Sequence, residues 1–316
     1  MIKFKTIRRW IQYSILVFFI RLFIYTLNLF PRKFVLWNFN ILSKIAYIVA
    51  IKERKKTIKN LNKAFAETKS PQEIKHIAKN VFKNIAFAFA DYILTIKYST
   101  KEDFSKIIEF EGIEHLSEAF STGNGVICMT GHISSWEFSA IMPSVLGFPT
   151  SASSRKMPSP KIDKLIVGYR EQRGMRNISR GKTYPLLIEI LNKGECLLLM
   201  TDQDATTKGV FIDFFGKPAY TPIGIARLAL DTKAIIVPMF TIRKPDLNYL
   251  FKIMPPVTLI NTGNIESDLF ENTKIHSTIY EEIINKYPEQ WVWMHDRWKT
   301  TPEKIQKFLE RKKSAQ

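Results

Sequence analysis

Residues 126–137 read VICMTGHISSWE, a pattern that predicts a strand followed by a loop and a helix. Its first five residues, Val126–Thr130, form a short apolar run that predicts a fully buried strand. Gly131 and His132 follow directly, and a helical pattern begins near Glu137. We therefore expect His132 in a loop at the carboxyl end of a strand, where open α/β sheets place their ligands.

Outward from this stretch, strand and helix patterns alternate along the chain. Apolar runs predict further buried strands at Cys196–Met200, Ile235–Ile242 and Tyr249–Met254. Helical spacing predicts helices at Glu73–Lys97, Ile162–Arg173, Tyr184–Asn192, Pro222–Leu230 and Ile265–Lys286, and a basic tail helix at Pro302–Lys313. Strands separated by helices favour an α/β fold with a mainly parallel sheet that is covered by helices on both faces.

The composition excludes a disordered chain and indicates a polyanionic partner. Of 316 residues, 46% are apolar, and 47 Lys and Arg stand against 29 Asp and Glu, a net charge of +18. Such an excess suits nucleic acid, phosphorylated lipid or an acidic carrier protein, and charge alone does not choose among them. Cys128 and Cys196 lie inside predicted strands, which argues against a disulfide framework and against a zinc cluster.

The first 60 residues have the character of a membrane-docking segment. Trp10–Phe30 is apolar and about as long as a bilayer span, although Arg21 interrupts it. A second amphipathic run, Phe34–Ile51, ends in a basic cluster suited to anionic head groups, Lys52, Arg54, Lys55, Lys56 and Lys59. An ordinary buried helix of a soluble protein is the alternative for this region. Residues 61–316 are expected to form a single domain.

His132 and Glu137 are a candidate catalytic pair. Five positions apart on one continuous helix they would point about 140° away from each other, so they meet only if His132 precedes the helix. A neutral imidazole can then take a proton from a substrate hydroxyl, while a carboxylate fixes its tautomer and stabilises the imidazolium. The competing interpretation is a capping box, in which Ser134 and Glu137 only bond the backbone at the helix start.

Polar residues elsewhere are weaker candidates on spacing alone. Asp202 and Asp204 follow the strand Cys196–Met200, where they hold a basic residue, shape a polar pocket or form a solvated turn. An arginine-rich stretch is suited to phosphate, although a solvated helix face explains most of it equally well; its members are Arg155, Arg170, Arg173, Arg176 and Arg180. Four histidines, His76, His115, His276 and His295, are expected to be structural.

Taken in order, these motifs resemble the lipid A biosynthesis lauroyl/myristoyl acyltransferases over nearly the whole chain. The resemblance lies in the H-x4-[DE] motif at His132–Glu137, in Asp202-Gln203-Asp204, in VFIDFFG at 210–216, in Thr221-Pro222, Ala229 and Pro238, and in PEQWVWMH at 288–295. It implies a glycerolipid-acyltransferase-like fold and transfer of a fatty acyl chain from acyl carrier protein to a hydroxyl of an acyl chain on a lipid A precursor.

The resemblance also implies roles for individual residues. His132 matches the general base, Glu137 the carboxylate that orients it, and Arg170 an arginine of the active site. One of Asp202 and Asp204 matches an acidic position. Arg155 matches a substrate-binding arginine less well, because the tyrosine and the immediate proline of the family's sequence are absent around it.

The resemblance further implies the cofactors, partners and location of the enzyme. No cofactor or metal is expected, and acyl-CoA is a possible alternative donor. The partners are acyl carrier protein, the lipid A precursor or a related glycolipid, and anionic lipids of the bacterial inner membrane, with the catalytic domain facing the cytoplasm.

Two other functions remain open from the sequence. An acyltransferase of the same superfamily acting on a lysophospholipid or a mannosylated inositol lipid carries the same H-x4-[DE] motif. A basic, membrane-associated nucleic-acid-binding module would use the net charge, but it lacks any sequence signature for reading RNA or DNA and leaves residues 131–137 unexplained.

Overall fold

A computed structural model describes residues 2–154, 157, 159–179, 181, 183–205 and 207–306. Arg155, Arg180 and most of the predicted tail helix lie outside this part of the chain; the tail is helical at residues 302–306.

Four helices form the N-terminal third: α1 (Ile2–Leu27), α2 (Arg32–Val49), α3 (Ile51–Phe65) and α4 (Pro71–Leu94). By length and composition, Trp10–Leu27 of α1 is able to cross a membrane, and none of this window is buried. The axes of α2 and α3 meet at 87° at Ala50. One face of α2 packs on α4 through Val35, Leu36 and Phe39, whereas its opposite face exposes Phe34, Trp37, Ile41, Ile45 and Ile48.

The centre of the molecule is a seven-stranded sheet. Its strands are β1 (Ile108–Glu111), β2 (Val126–Thr130), β3 (Thr150–Ser154), β4 (Met175–Ser179), β5 (Cys196–Met200), β8 (Ile235–Arg243) and β9 (Tyr249–Ile253), in the order β1-β9-β8-β2-β5-β3-β4. Only β8 and β9 pair antiparallel. A separate antiparallel hairpin joins β6 (Gly209–Phe214) to β7 (Lys217–Pro222).

The other helices are α5 (Lys101–Phe104), α6 (Ile113–Ser121), α7 (Trp136–Val145), α8 (Pro160–Glu171), α9 (Tyr184–Asn192), α10 (Gly224–Thr232) and α11 (Ile265–Lys286), with a 3₁₀ turn at Pro288–Gln290. Alternate residues of β2 enter two different cores: Ile127 and Met129 join one, Val126 and Cys128 the other. Side chains alternate across a strand, so the sheet is buried on both faces. The predicted α/β fold with a mainly parallel sheet is confirmed.

The sequence missed three strands of this sheet and the hairpin. β3 consists of Thr, Ser and Ala only, so it has no apolar run, and β1 has just four residues. The helix predicted from Pro222 begins at Gly224, because Thr221 and Pro222 complete β7. Both cysteines are buried free thiols, on the adjacent strands β2 and β5.

Candidate active site

The topology brings His132 and Asp202 to the same edge of the sheet. β2 and β5 are parallel neighbours in which Thr130 pairs with Met200, so the residues that follow the two strands lie side by side at the sheet edge. His132 is two residues beyond Thr130 and Asp202 is two residues beyond Met200.

Asp202 is bonded to His132 twice. Oδ1 of Asp202 lies 2.9 Å from Nδ1 of the imidazole, and Oδ2 accepts a hydrogen bond of 2.9 Å from the backbone N–H of His132. The indole N–H of Trp291 donates to the same Oδ2 at 2.8 Å. With Nδ1 protonated towards the carboxylate, Nε2 carries the lone pair, and it has no hydrogen-bond partner within the described residues.

The environment shifts both pKa values. Burial alone would lower the pKa of His132, but the charge and hydrogen bond of Asp202, with a smaller contribution from the Glu137 charge, raise it above the ordinary 6.5. Burial alone would raise the pKa of Asp202, yet the His132 imidazole and the N–H donors of His132 and Trp291 lower it. The Asp202 side chain is completely buried, while 29% of the His132 side chain is exposed. The aspartate is thus a fixed anion and the imidazole remains accessible.

Backbone pairing holds the loop in place. The N–H of Ser134 donates to the Gln290 carbonyl at 2.6 Å, and the N–H of Val292 donates to the His132 carbonyl at 3.1 Å. A Cβ at Gly131 would lie 3.2 Å from Cγ of Asp202 and 3.1 Å from the Tyr280 ring, closer than most real Cβ contacts. Glycine therefore lets the aspartate approach the loop.

Glu137 does not hydrogen-bond the imidazole. Its carboxylate accepts two hydrogen bonds from Arg170, Nη2 to Oε1 at 2.7 Å and Nε to Oε2 at 3.1 Å. The structure thus differs from the prediction in assigning the orienting carboxylate to Asp202. The reason is geometric: α7 begins at Trp136 and turns the Glu137 side chain towards α8, which carries Arg170. The Glu137 charge still acts on His132 through space.

The alternative capping box is not formed either. Ser135, not Ser134, is the N-cap residue of α7, and it makes no side-chain capping bond. Ser134 has the left-handed backbone angle φ = 47°, which is unusual for a residue with a side chain. The hydroxyls of Ser134 and Ser135 are buried and have no hydrogen-bond partner among the described residues. The first N–H groups of a helix have no intrahelical acceptor, so this end of α7 offers free donors next to His132.

None of the other candidates among the described residues hydrogen-bonds the imidazole. Asp204 is buried, and its Oδ2 accepts a hydrogen bond of 2.9 Å from the backbone of Thr300. Arg173 is buried and donates to the carbonyls of Tyr169 and Thr95. His295 contacts the Asp204 carbonyl at 3.2 Å, and burial lowers the pKa of His276 to about 4. Arg155 lies outside the described residues. In those residues, no group of three or more His, Cys, Asp and Glu is arranged to hold a metal ion.

Sequence reasoning missed two parts of the site. In the sequence, Trp291 stands out only as part of the stretch PEQWVWMH, and Gly131 only as the residue between the strand and His132. The available signal was topological: two polar segments that each follow a buried strand meet when the strands are neighbours.

Comparison with known proteins identifies the family. The model of the bacterial lipid A biosynthesis acyltransferases matches residues 1–300. A lipid A biosynthesis acyltransferase of Haemophilus influenzae is 26% identical over 249 residues, which cover 78% of this chain and 75% of that protein. The lipid A biosynthesis lauroyltransferase of Escherichia coli K12 is 26% identical, covering 81% of this chain and 82% of the relative.

A third relative has a different acceptor in its name. The phosphatidylinositol mannoside acyltransferase of Mycobacterium tuberculosis CDC 1551 is 26% identical over 192 residues, covering 59% of this chain and 58% of that protein. The match of the family model over residues 1–300 shows that this chain belongs to the bacterial lipid A biosynthesis acyltransferase family.

Proposed function

We propose that this chain transfers a fatty acyl group from acyl carrier protein to a hydroxyl of an acyl chain on a lipid A precursor, with His132 as the general base. The observation that carries the proposal is the His132–Asp202 pair: a buried carboxylate holds Nδ1, and Nε2 is left free and partly exposed. This is the arrangement that general-base catalysis on a hydroxyl requires.

Each proton and bond has a place in this mechanism. Nε2 of His132 takes the proton of the acceptor hydroxyl as its oxygen attacks the thioester carbonyl. Asp202 stabilises the resulting imidazolium through Nδ1. The tetrahedral intermediate then collapses, the carbon–sulfur bond breaks, and the imidazolium returns its proton to the leaving thiolate. Transfer is direct and uses no acyl-enzyme intermediate.

The start of α7 is the better candidate for stabilising the oxyanion. Both Nε and Nη2 of Arg170 are bonded to Glu137, so its charge is already compensated. In contrast, the free N–H groups at the start of α7 and the unpartnered Ser135 hydroxyl lie directly after the base. We assign to the Glu137–Arg170 pair the task of fixing α7 against α8 and of favouring the imidazolium through space.

Membrane attachment and charge support a lipid acceptor and an acidic carrier. The exposed apolar residues of α1 and of one face of α2 suit insertion into a bilayer, and the basic residues of α3 suit anionic head groups. A net charge of +18 also suits acidic acyl carrier protein. Carrier protein as donor requires the catalytic domain to face the cytoplasm, so we place the enzyme on the inner membrane.

The second candidate is acyl transfer to a lysophospholipid or a mannosylated inositol lipid. It is favoured by the similarity to the mycobacterial phosphatidylinositol mannoside acyltransferase. The same base, tautomer and oxyanion donors would serve this reaction, so only the acceptor differs.

A product assay tests these proposals. The full chain in detergent would be given a long-chain acyl-carrier protein, or the matching acyl-CoA, with each acceptor lipid in turn, and products would be read by mass spectrometry. We expect one added acyl group on the under-acylated lipid A precursor. The variant His132→Ala should lose at least about 10²-fold in turnover, the low end for loss of a general base.

His76→Ala is the matched control, because His76 is exposed and contacts only Asn80 among the described residues. Near-normal turnover by a folded His132→Ala protein would refute the assignment of the base. A product on the lysophospholipid or the mannosylated lipid, with none on the lipid A precursor, would select the second candidate.

A further inference from the structure

A basic groove runs between α1 and α8, on the side of α8 away from Glu137. A cavity of about 560 Å³ lies between the two helices, lined by Ser14, Arg21, Lys161, Lys164, Gly168 and Tyr169 among others. A second cavity of about 340 Å³ shares Arg21 and Tyr169 with it and extends the groove to Lys97. None of the described residues that line either cavity is acidic.

The cations of this groove have no anionic partner. Arg21 and Lys164 are exposed, and neither forms an ion pair within the described part of the chain. Lys161 lies over the Trp10 ring, 3.5 Å from its centroid, and donates to the Ser14 hydroxyl, so it too meets no carboxylate. Unpaired cations beside an apolar, membrane-active helix are costly unless an anion joins them.

The lysines of α8 indicate how deep the groove would lie in a bilayer. Trp10–Leu27 of α1 is apolar and exposed, whereas α8, beside it, carries Lys161 and Lys164. Lysine head groups seek the level of lipid head groups and water. The segment of α1 that faces α8 therefore lies at the level of the lipid phosphates. Phe18 lines the cavity and is largely exposed, which leaves an apolar surface for an acyl chain.

We propose that this groove binds the phosphate of an anionic glycerophospholipid of the bilayer, with its acyl chains along α1, and that this lipid joins α1 to α8. Phosphate matches the guanidinium fork of Arg21 and the point charges of Lys161 and Lys164. Bilayer lipid is favoured over substrate because the groove opens along α1, while Arg170 and the acyl-transfer site lie on the opposite side of α8. The proposal goes beyond acyl transfer and does not depend on it.

Lipid retention is the direct test. The full chain would be extracted from vesicles of phosphatidylcholine with a minor fraction of phosphatidylglycerol, and the lipid that remains bound would be counted by native mass spectrometry. We expect one retained phosphatidylglycerol and a higher Tm in its presence than in phosphatidylcholine alone. The variant R21Q/K164Q should bind phosphatidylglycerol roughly tenfold or more weakly, since each basic side chain at an anionic surface adds to binding.

The matched control is K75Q/K79Q, which removes the same charge from exposed positions of α4. It should retain the lipid as the unmodified chain does, and both variants should keep its Tm in phosphatidylcholine. Gly168→Trp tests the cavity without changing charge: a Cβ at Gly168 meets nothing within 4 Å, so the indole should fill the groove and displace the lipid.

Three results would overturn the proposal. Equal lipid loss in R21Q/K164Q and K75Q/K79Q would mean that only overall charge matters. Unchanged retention in both R21Q/K164Q and Gly168→Trp would place the lipid elsewhere. Unchanged retention together with a raised KM for a phosphorylated acceptor in R21Q/K164Q would assign the groove to the substrate's phosphate.

Discussion

Asp202 is hydrogen-bonded to both the imidazole ring and the backbone N–H of His132, although the two residues are 70 positions apart in the sequence. The two hydrogen bonds fix the orientation of the imidazole and the position of the loop that carries it. A third donor, the Trp291 indole, anchors the carboxylate from the opposite side of the loop. The imidazole of His132 is thereby oriented from three elements: β2, β5 and the segment after α11.

Replacing Asp202 tests this arrangement through the pH profile. Asp202→Asn should lower kcat by about 10²-fold or more, because the amide neither fixes the productive tautomer nor stabilises the imidazolium. Asp202 raises the pKa of His132, so activity of the unmodified enzyme should rise with pH through that raised pKa and then level off. In Asp202→Asn the pKa falls, since only the smaller effect of the Glu137 charge then opposes burial, and the acid limb of kcat/KM should move to lower pH.

Asp204→Asn is the control for that measurement, since Asp204 bonds the Thr300 backbone rather than the imidazole. Its acid limb should keep the original midpoint even if its Tm falls. An unmoved limb in Asp202→Asn would show that a group other than His132 titrates.

Removal of the Trp291 indole N–H should move the pH profile in the direction opposite to that expected for Asp202→Asn. Trp291→Phe keeps an aromatic ring against Trp293 and Phe214 but removes the donor to Oδ2 of Asp202. The free energy of unfolding should fall by about 1–3 kcal/mol, the cost of an unsatisfied buried polar group. The carboxylate then directs more of its charge to the imidazole, so the pKa of His132 rises and the acid limb should move to higher pH.

Trp293→Phe separates stability from function here, because its indole donates to the Pro288 carbonyl. It should lower Tm without moving the pH profile. If both tryptophan variants move the limb alike, the shift has a packing cause and not an electrostatic one.

The Glu137–Arg170 pair should behave as one unit. Glu137→Gln and Arg170→Gln each break a bidentate contact, so each should reduce kcat, whereas the double variant should be little worse than either. The interaction energy from thermal unfolding should be about 0.5–3 kcal/mol. Glu137→Gln should also move the acid limb slightly to lower pH, because its charge raises the pKa of His132. Arg176→Gln, which breaks a more exposed pair with Glu195, is the control and should leave activity unchanged. If the effects of Glu137→Gln and Arg170→Gln on kcat are strictly additive, the two residues have separate roles.

Local patterns in the sequence predicted much of the fold. α9 and α11 have the predicted bounds, since both show clear helical spacing. β2 and β5 were found because a central parallel strand is an unbroken apolar run. β3 escaped notice because its small polar residues are buried by neighbouring strands and not by their own hydrophobicity.

The partners within the site were harder to predict for a related reason. The spacing of His132 and Glu137 is local and visible, and it suggested that these two residues meet. The contact that the imidazole makes is with Asp202, which depends on β2 and β5 being neighbours. Strand order is a property of the whole sheet, so no spacing within one segment reveals it.

A buried ion cluster joins α2 and α4 to the sheet. Asp91 of α4 is completely buried and accepts hydrogen bonds from Arg32 at the start of α2 (2.7 Å), from Arg243 of β8 (3.0 Å) and from the Tyr249 hydroxyl (2.7 Å). Asp91→Asn leaves two guanidinium groups without their counter-charge, so the free energy of unfolding should fall by about 3–5 kcal/mol. Asp231→Asn, which breaks a surface pair with Arg227, should change it by at most about 1 kcal/mol.

Because Asp91 joins α2 to the sheet, its loss should also loosen α2 locally. Limited proteolysis of the Asp91→Asn variant should therefore cut the α1–α2 connection at residues 28–31 earlier than it cuts the sheet. Simultaneous cleavage throughout the chain would show instead that the Asp91 cluster stabilises the whole domain and does not specifically anchor α2.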